Sequence, residues 1–218
     1  MRILVVAPHP DDEVLGCGGV IGKYAKQGDE VFLCIATKGY TPDWSEQFLK
    51  DIKKEIKESC RILGIKETFF LGFPTAKLDT ISQKELNDAI SDMVRNIKPD
   101  VIYSPSGGDL NRDHRCVFEA VLVASRPKPG SFVKQVLCYE VLSETEWGMP
   151  LQAFVPMVYE DIGSCLKDKI GAMEAYKSQV KEFPHPRSIE VIEALARKRG
   201  SECGMEAAEA FVLIRSIN

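Results

Sequence analysis

No apolar run in this 218-residue sequence approaches the ~20 residues that a membrane-crossing helix requires, so no membrane partner is expected. A basic excess is missing too. Against 32 Asp and Glu stand 28 Lys and Arg, and the net charge of −4 offers no field for nucleic acid. The seven cysteines include no CxxC pair, and such an odd, scattered set reads as reduced core residues of a cytoplasmic protein. None is taken as a metal ligand. The opening residues, Met1 to Val6, are too short for a signal peptide and run straight into a motif. A phosphate-loop signature is absent. Gly16, Gly18, Gly19 and Gly22 miss the dinucleotide fingerprint, because Ile21 stands where a glycine is needed. These glycines are read instead as sites of close helix-to-sheet packing.

What is present is enough apolar material, 44% of residues, for one substantial core. Residues 3–7 and 31–36 are continuous apolar runs, the pattern of strands buried on both faces. Between them, residues 14–26 read as a helix ending at Gly28. A second helix over 45–63 carries Phe48, Ile52, Ile56, Cys60 and Leu63 at helical spacing and ends at Gly64. Residues 68–71 form a third strand. Ser82 and Glu85 form a capping-box pattern for a helix with Leu86, Ile90, Met93 and Ile97 on one face. A strand over 101–104 and a helix over 113–125 follow.

The second half is less regular, with strands expected at 136–142, 154–158 and 210–214 and helices at 162–178 and 189–199. Neither repeats nor a convincing linker interrupt the chain, so residues 1–218 read as a single domain. The alternation predicts an α/β fold, a Rossmann-like three-layer sandwich with a mainly parallel sheet.

In such sheets ligands bind beyond the carboxyl ends of the strands. Strand one ends in Pro8-His9-Pro10-Asp11-Asp12-Glu13, and strand four leads into Ser106 to His114. The sheet would bring His9, Asp12 and His114 together across one crevice. Two imidazoles and a carboxylate suit zinc with one position left open for water. A neighbouring carboxylate must then take the proton of that water, and Asp11 fits. Glu13 is placed to hydrogen-bond a ligand from behind. A blander reading makes Asp11 or Asp12 a helix cap and His9 a plain loop residue. Three such groups converging on a ligand crevice favour the metal reading.

Ala7-Pro8-His9-Pro10-Asp11-Asp12-Glu13 resembles the signature of the LmbE-like (PIG-L) family of metal-dependent N-deacetylases. The Asp113-His114 loop resembles that family's second motif. Glu55 with Arg61 to Ile65, Ala196 to Gly200, and Ala208 to Phe211 also match its pattern. The resemblance implies a Rossmann-like fold and removal of an N-acetyl group from a small N-acylated amino-sugar substrate such as an N-acetylglucosamine derivative. It implies zinc, with Fe2+ as the alternative ion, bound by His9, Asp12 and His114, and Asp11 as general base. Two departures stand out. Asn111 occupies a position where many members carry an oxyanion-stabilising histidine, and only lysines, Lys53 and Lys54, lie where many have an arginine. His185, flanked by Pro184 and Pro186, is the expected substitute. In relatives resembling diacetylchitobiose deacetylases such a histidine comes from a neighbouring subunit, which would make the protein a homo-oligomer.

Two rival classes are a non-haem iron(II) oxygenase, which uses the same ligand set, and a carbohydrate- or metabolite-binding module that has lost catalysis. The H-x-x-D spacing and the presence of Asp11 weigh against each in turn. Loops 39–45 and 143–154 are expected to shape the pocket; Trp44 and Trp147 suit either stacking on a sugar ring or packing, with packing favoured for Trp147.

Overall fold

The computed structural model describes residues 1–217. Its elements are β1 (Arg2–Ala7), α1 (Asp12–Lys26), β2 (Glu30–Lys38), α2 (Glu46–Leu63), β3 (Glu67–Pro74), α3 (Gln83–Ile97), β4 (Val101–Pro105) and α4 (Arg112–Ala124). The second half adds β5 (Gln135–Tyr139), β6 (Val158–Asp161), α5 (Leu166–Ala175), α6 (Ile189–Cys203) and β7 (Ala208–Ser216), with short 3-10 turns at Leu78–Thr80 and Gly163–Cys165. One seven-stranded sheet runs in the order β3-β2-β1-β4-β5-β7-β6. Its first five strands are parallel, and β7 is antiparallel to both of its neighbours.

Alternate residues of one strand supply two cores. Ile3, Val5 and Ala7 of β1 join the layer of α1, α2, α5 and α6, while Leu4 and Val6 join that of α3 and α4. This is the three-layer α/β architecture the apolar runs predict. The chain leaves β1 toward β2 and β3, then returns to β4 on the other side of β1. The crevice between β1 and β4 is therefore the topological switch point, where loops diverge and a ligand fits.

The α1 glycines pack as their spacing suggests. A Cβ on Gly16 would lie 2.2 Å from the Tyr139 ring, and one on Gly19 would lie 2.7 Å from the Ile162 side chain. Bare backbone here also admits a buried ion pair. Glu209 accepts from the N–H groups of Gly19 and Val20 at 2.8 Å each, and Lys169 Nζ donates to Glu209 (2.6 Å) and to the Leu15 carbonyl (2.8 Å). Both side chains are about 4% exposed. Lys169→Met strands a carboxylate in the core, so we expect a loss of roughly 3–5 kcal/mol in a chemical denaturation curve.

Three expectations shift. The strand expected at 154–158 begins only at Val158, because Pro156 has no N–H to give a ladder. The helix expected over 162–178 is α5 alone, which ends at Ala175 as Tyr176 turns away to bond Glu13. Ser82 makes no side-chain cap; its carbonyl instead accepts from Glu85 N. All seven cysteines are free. No described helix is long and apolar enough to cross a membrane.

Candidate metal centre and active site

The turn from β1 into α1 sets the directions of three side chains. Asp11 adopts a left-handed backbone (φ 103°), a conformation that costs a non-glycine residue roughly 1–3 kcal/mol and is concentrated at functional sites. Its carbonyl accepts from Val14 and Leu15 N–H and so starts α1. Both carboxylates are buried, Asp12 turned toward His9 and Asp11 toward Arg187. Asp12 Oδ2 accepts from His9 N–H at 2.8 Å.

From across the switch point, α4 delivers His114, which is fully buried. Its Nε2 lies 3.3 Å from His9 Nδ1 and 3.3 Å from Asp12 Oδ2, and His9 Nδ1 is also 3.3 Å from Asp12 Oδ2. Three donor atoms thus form a triangle of equal edges. A tetrahedral ion with bonds of about 2.0–2.1 Å requires ligand atoms about 3.3–3.4 Å apart, so the triangle fits zinc without rearrangement. Among the described residues this is the one group of three or more His, Cys, Asp or Glu side chains with such geometry.

The outer nitrogens of both rings are occupied by carboxylates. His9 Nε2 lies 3.0 Å from Asp113 Oδ2, and Asp113 also accepts from the N–H groups of Ala76 and Leu78. His114 Nδ1 lies 2.8 Å from Asp109 Oδ2, whose other oxygen accepts from Thr145 Oγ1. With protons on those outer atoms, His9 Nδ1 and His114 Nε2 present lone pairs toward each other. Burial alone would lower both imidazoles. Hydrogen bonds to Asp113 and Asp12 outweigh it and raise His9 to about 9, while the charge of Asp12 and the bond to Asp109 raise His114 to about 10. Despite its burial, Asp12 is held well below the usual carboxylate range by the imidazoles. Three buried acids around two rings favour positive charge there, which a bound divalent ion would supply in place of the ring protons. Asp109→Asn should weaken zinc binding roughly 10- to 100-fold, as loss of such a supporting carboxylate generally does, measured by competition with a chromophoric chelator.

Asp11 takes no part in the triangle. Its Oδ2 meets Arg187 Nη1 at 3.1 Å, and Arg187 also reaches Ser143 Oγ (2.9 Å), Gln179 Oε1 (3.4 Å) and Glu144 (3.6 Å). Burial and the charge of Asp12 push the Asp11 carboxyl up to about 8 against the pull of Arg187. Glu13 lies behind the turn. Its Oε2 accepts from Asp11 N–H and its Oε1 from Tyr176 OH, and burial lifts it to about 7 against that hydroxyl bond.

His185 stands apart from the other expected site residues. It is exposed, its Nδ1 accepts from Arg187 N–H, and it does not line the cavity beside the triangle within this chain. The Pro-flanked turn aims Arg187 inward instead. Asn111 does line that cavity, but its Oδ1 caps α4 by accepting from Asp113 N. Trp44 lines the cavity, whereas Trp147 is 53% exposed and does not. Loop 143–154 acts through Ser143 and Glu144 on Arg187. Glu55 accepts from Ser178 N–H and Oγ and so ties α2 to the segment that carries Arg187.

The model of the GlcNAc-PI de-N-acetylase (PIG-L) family matches residues 4–125, the stretch from β1 to the end of α4 that builds the triangle. The chain belongs to the PIG-L family. A relative described as an uncharacterized deacetylase, YaiS of Escherichia coli, is 31% identical over 81% of this chain and 90% of its own. The diacetylchitobiose deacetylase of Thermococcus kodakarensis is 27% identical over 99% of this chain and 84% of its own. Among solved structures, the conserved protein TT1542 of Thermus thermophilus superposes with a TM-score of 0.81, at 26% identity, over 99% of this chain and 96% of its own. In this PIG-L protein, then, the matched segment and the donor triangle coincide.

Proposed function

We propose that this PIG-L protein removes an N-acetyl group from a small amino-sugar derivative, releasing acetate and a free amine. The observation that carries the proposal is the 3.3 Å triangle of His9 Nδ1, Asp12 Oδ2 and His114 Nε2, with an unliganded carboxylate one residue away. Those three atoms would hold the ion, zinc for preference and Fe2+ as the alternative. When bound, a divalent ion supplies Lewis acidity, which acidifies water and polarises an amide carbonyl.

The protein's own residues do the rest. Asp11 accepts the proton of the attacking water and returns it to the departing nitrogen, so one carboxyl serves as base and then acid. Arg187 holds the Asp11 carboxylate in place through Oδ2, leaving Oδ1 for the reacting water. Asp109 and Asp113 keep the imidazole lone pairs aimed inward. His185, if it acts, does so from a second subunit, since within one chain it faces outward.

The deacetylase names of the relatives support this reading over an iron oxygenase, and the intact Asp11 supports it over a spent binding module. Acetate release from a panel of N-acetylated amino sugars tests it. We expect acetate from at least one member, abolished by chelator and restored by zinc; release indifferent to chelation, or none across the panel, contradicts the proposal.

A further inference from the structure

Between α5 and α6, residues 176–187 grip Asp11 at two places. At the backbone, Tyr176 OH donates to Glu13, whose other carboxylate oxygen accepts the Asp11 N–H at 3.1 Å. At the side chain, Arg187 Nη1 donates to Asp11 Oδ2 at 3.1 Å and to Gln179 Oε1 at 3.4 Å. Gln179 Nε2 in turn donates to Ser178 Oγ (3.1 Å), and that hydroxyl donates to Glu55 Oε2 of α2 (2.6 Å). An unbroken line of side chains thus joins Asp11 to α2.

The charged groups on this line dictate its polarity. A guanidinium only donates and a carboxylate only accepts. Gln179 must therefore turn its oxygen to Arg187 and its nitrogen to Ser178, and the Ser178 hydroxyl proton must point to Glu55. Reversing either link would set donor against donor. From Arg187 to Glu55 every dipole runs the same way, and hydrogen bonds so aligned strengthen one another.

Arg187 has a use for such an anchor, because a second carboxylate competes for it. Its Nη2 lies 3.6 Å from Glu144 Oε1, and its Nε donates to Ser143 Oγ at 2.9 Å, both in the loop after β5. A pull toward that loop draws the guanidinium away from Asp11. Gln179 accepts from the same nitrogen that serves Asp11 and opposes the pull. We infer that Glu55 is a positioning residue for the reaction, fixing Arg187 on Asp11 through Ser178 and Gln179. The inference rests on the deacetylase reading above, in which Asp11 is the base.

Ser178→Ala tests it with the least disturbance. The variant loses one oxygen and cuts the line, yet the backbone N–H of residue 178, which donates to Glu55 Oε1 at 3.1 Å, still ties the segment to α2. We expect kcat for acetate release to fall roughly 10- to 100-fold, as when an orienting partner is lost, with KM within about twofold and zinc content unchanged. Glu55→Gln keeps the shape but turns an amide N–H on one of the two Ser178 donors, and it should lower kcat likewise. In an Arg187→Met background, Ser178→Ala should change kcat by less than about twofold, since no guanidinium is left to position. Wild-type kcat in Ser178→Ala or in Glu55→Gln overturns the inference. So does a second full loss in the Arg187→Met background, which would show Ser178 acting on the fold and not through Arg187.

If the wild-type protein releases no acetate from any N-acetylated sugar, the deacetylase reading falls and the line is read without turnover. NMR follows exchange of the Arg187 Nε–H with water, the signal being assigned by its absence from Arg187→Met. Ser178→Ala should speed that exchange roughly tenfold, the effect of losing one hydrogen bond in a charged network. An unchanged exchange rate overturns the inference.

Discussion

Asp11→Asn is expected to lower kcat by about 100- to 10,000-fold, the usual contribution of a general base, while bound metal stays at the wild-type level. Asparagine is the informative replacement. It keeps the side-chain shape, and with aspartate it is among the few residues that tolerate a left-handed backbone such as the φ of 103° found here. Alanine at that position would mix chemistry with backbone strain. The amide removes the proton acceptor and leaves the donor triangle untouched, because Asp11 contributes no atom to it. Parallel measurements of turnover and zinc content check both halves of the expectation. Wild-type turnover in the variant would remove Asp11 from the mechanism, and loss of zinc would make it a ligand.

His114→Ala should fail in the opposite order. The ring contributes one corner of the triangle and is fully buried, so no water-exposed neighbour can replace it. Loss of a direct ligand should exceed the roughly 10- to 100-fold affinity change that accompanies loss of a supporting carboxylate. We expect the purified variant to carry less than a tenth of an equivalent of zinc by elemental analysis and to lose acetate release with it. Retention of a full equivalent would show that the ion sits elsewhere.

Much of the first half of the fold was legible because β1, β2 and β4 are buried on both faces, unlike the edge strand β3. Residues of β1 and β2 alternate between two cores, so no polar position interrupts the run, and Gly28 and Gly64 mark where the first two helices end. Past β5 the signals compete. Pro156 interrupts an apolar stretch, and Tyr176 leaves its helix for a tertiary bond to Glu13 that no local pattern announces. The donor triangle was legible for a topological reason. Its residues directly follow β1 and β4, and parallel sheets open a crevice between such strands.

The supporting groups around the triangle were harder to read. Asp109 and Asp113 lie in the segment that follows β4, but their pairing with different imidazoles depends on ring orientation. Arg187 was hidden, because only tertiary packing brings position 187 to Asp11. The Pro-flanked segment holds two side chains: His185 accepts the Arg187 N–H from outside, and the same turn directs the Arg187 guanidinium inward to Asp11.

Anomalous diffraction at the zinc edge from zinc-loaded crystals addresses the account most directly. One strong peak per chain, within bonding distance of His9 Nδ1, Asp12 Oδ2 and His114 Nε2, with the Asp11 carboxylate beside it but uncoordinated, is the predicted map. A peak away from these three atoms, or one ligated by Asp11, would contradict it.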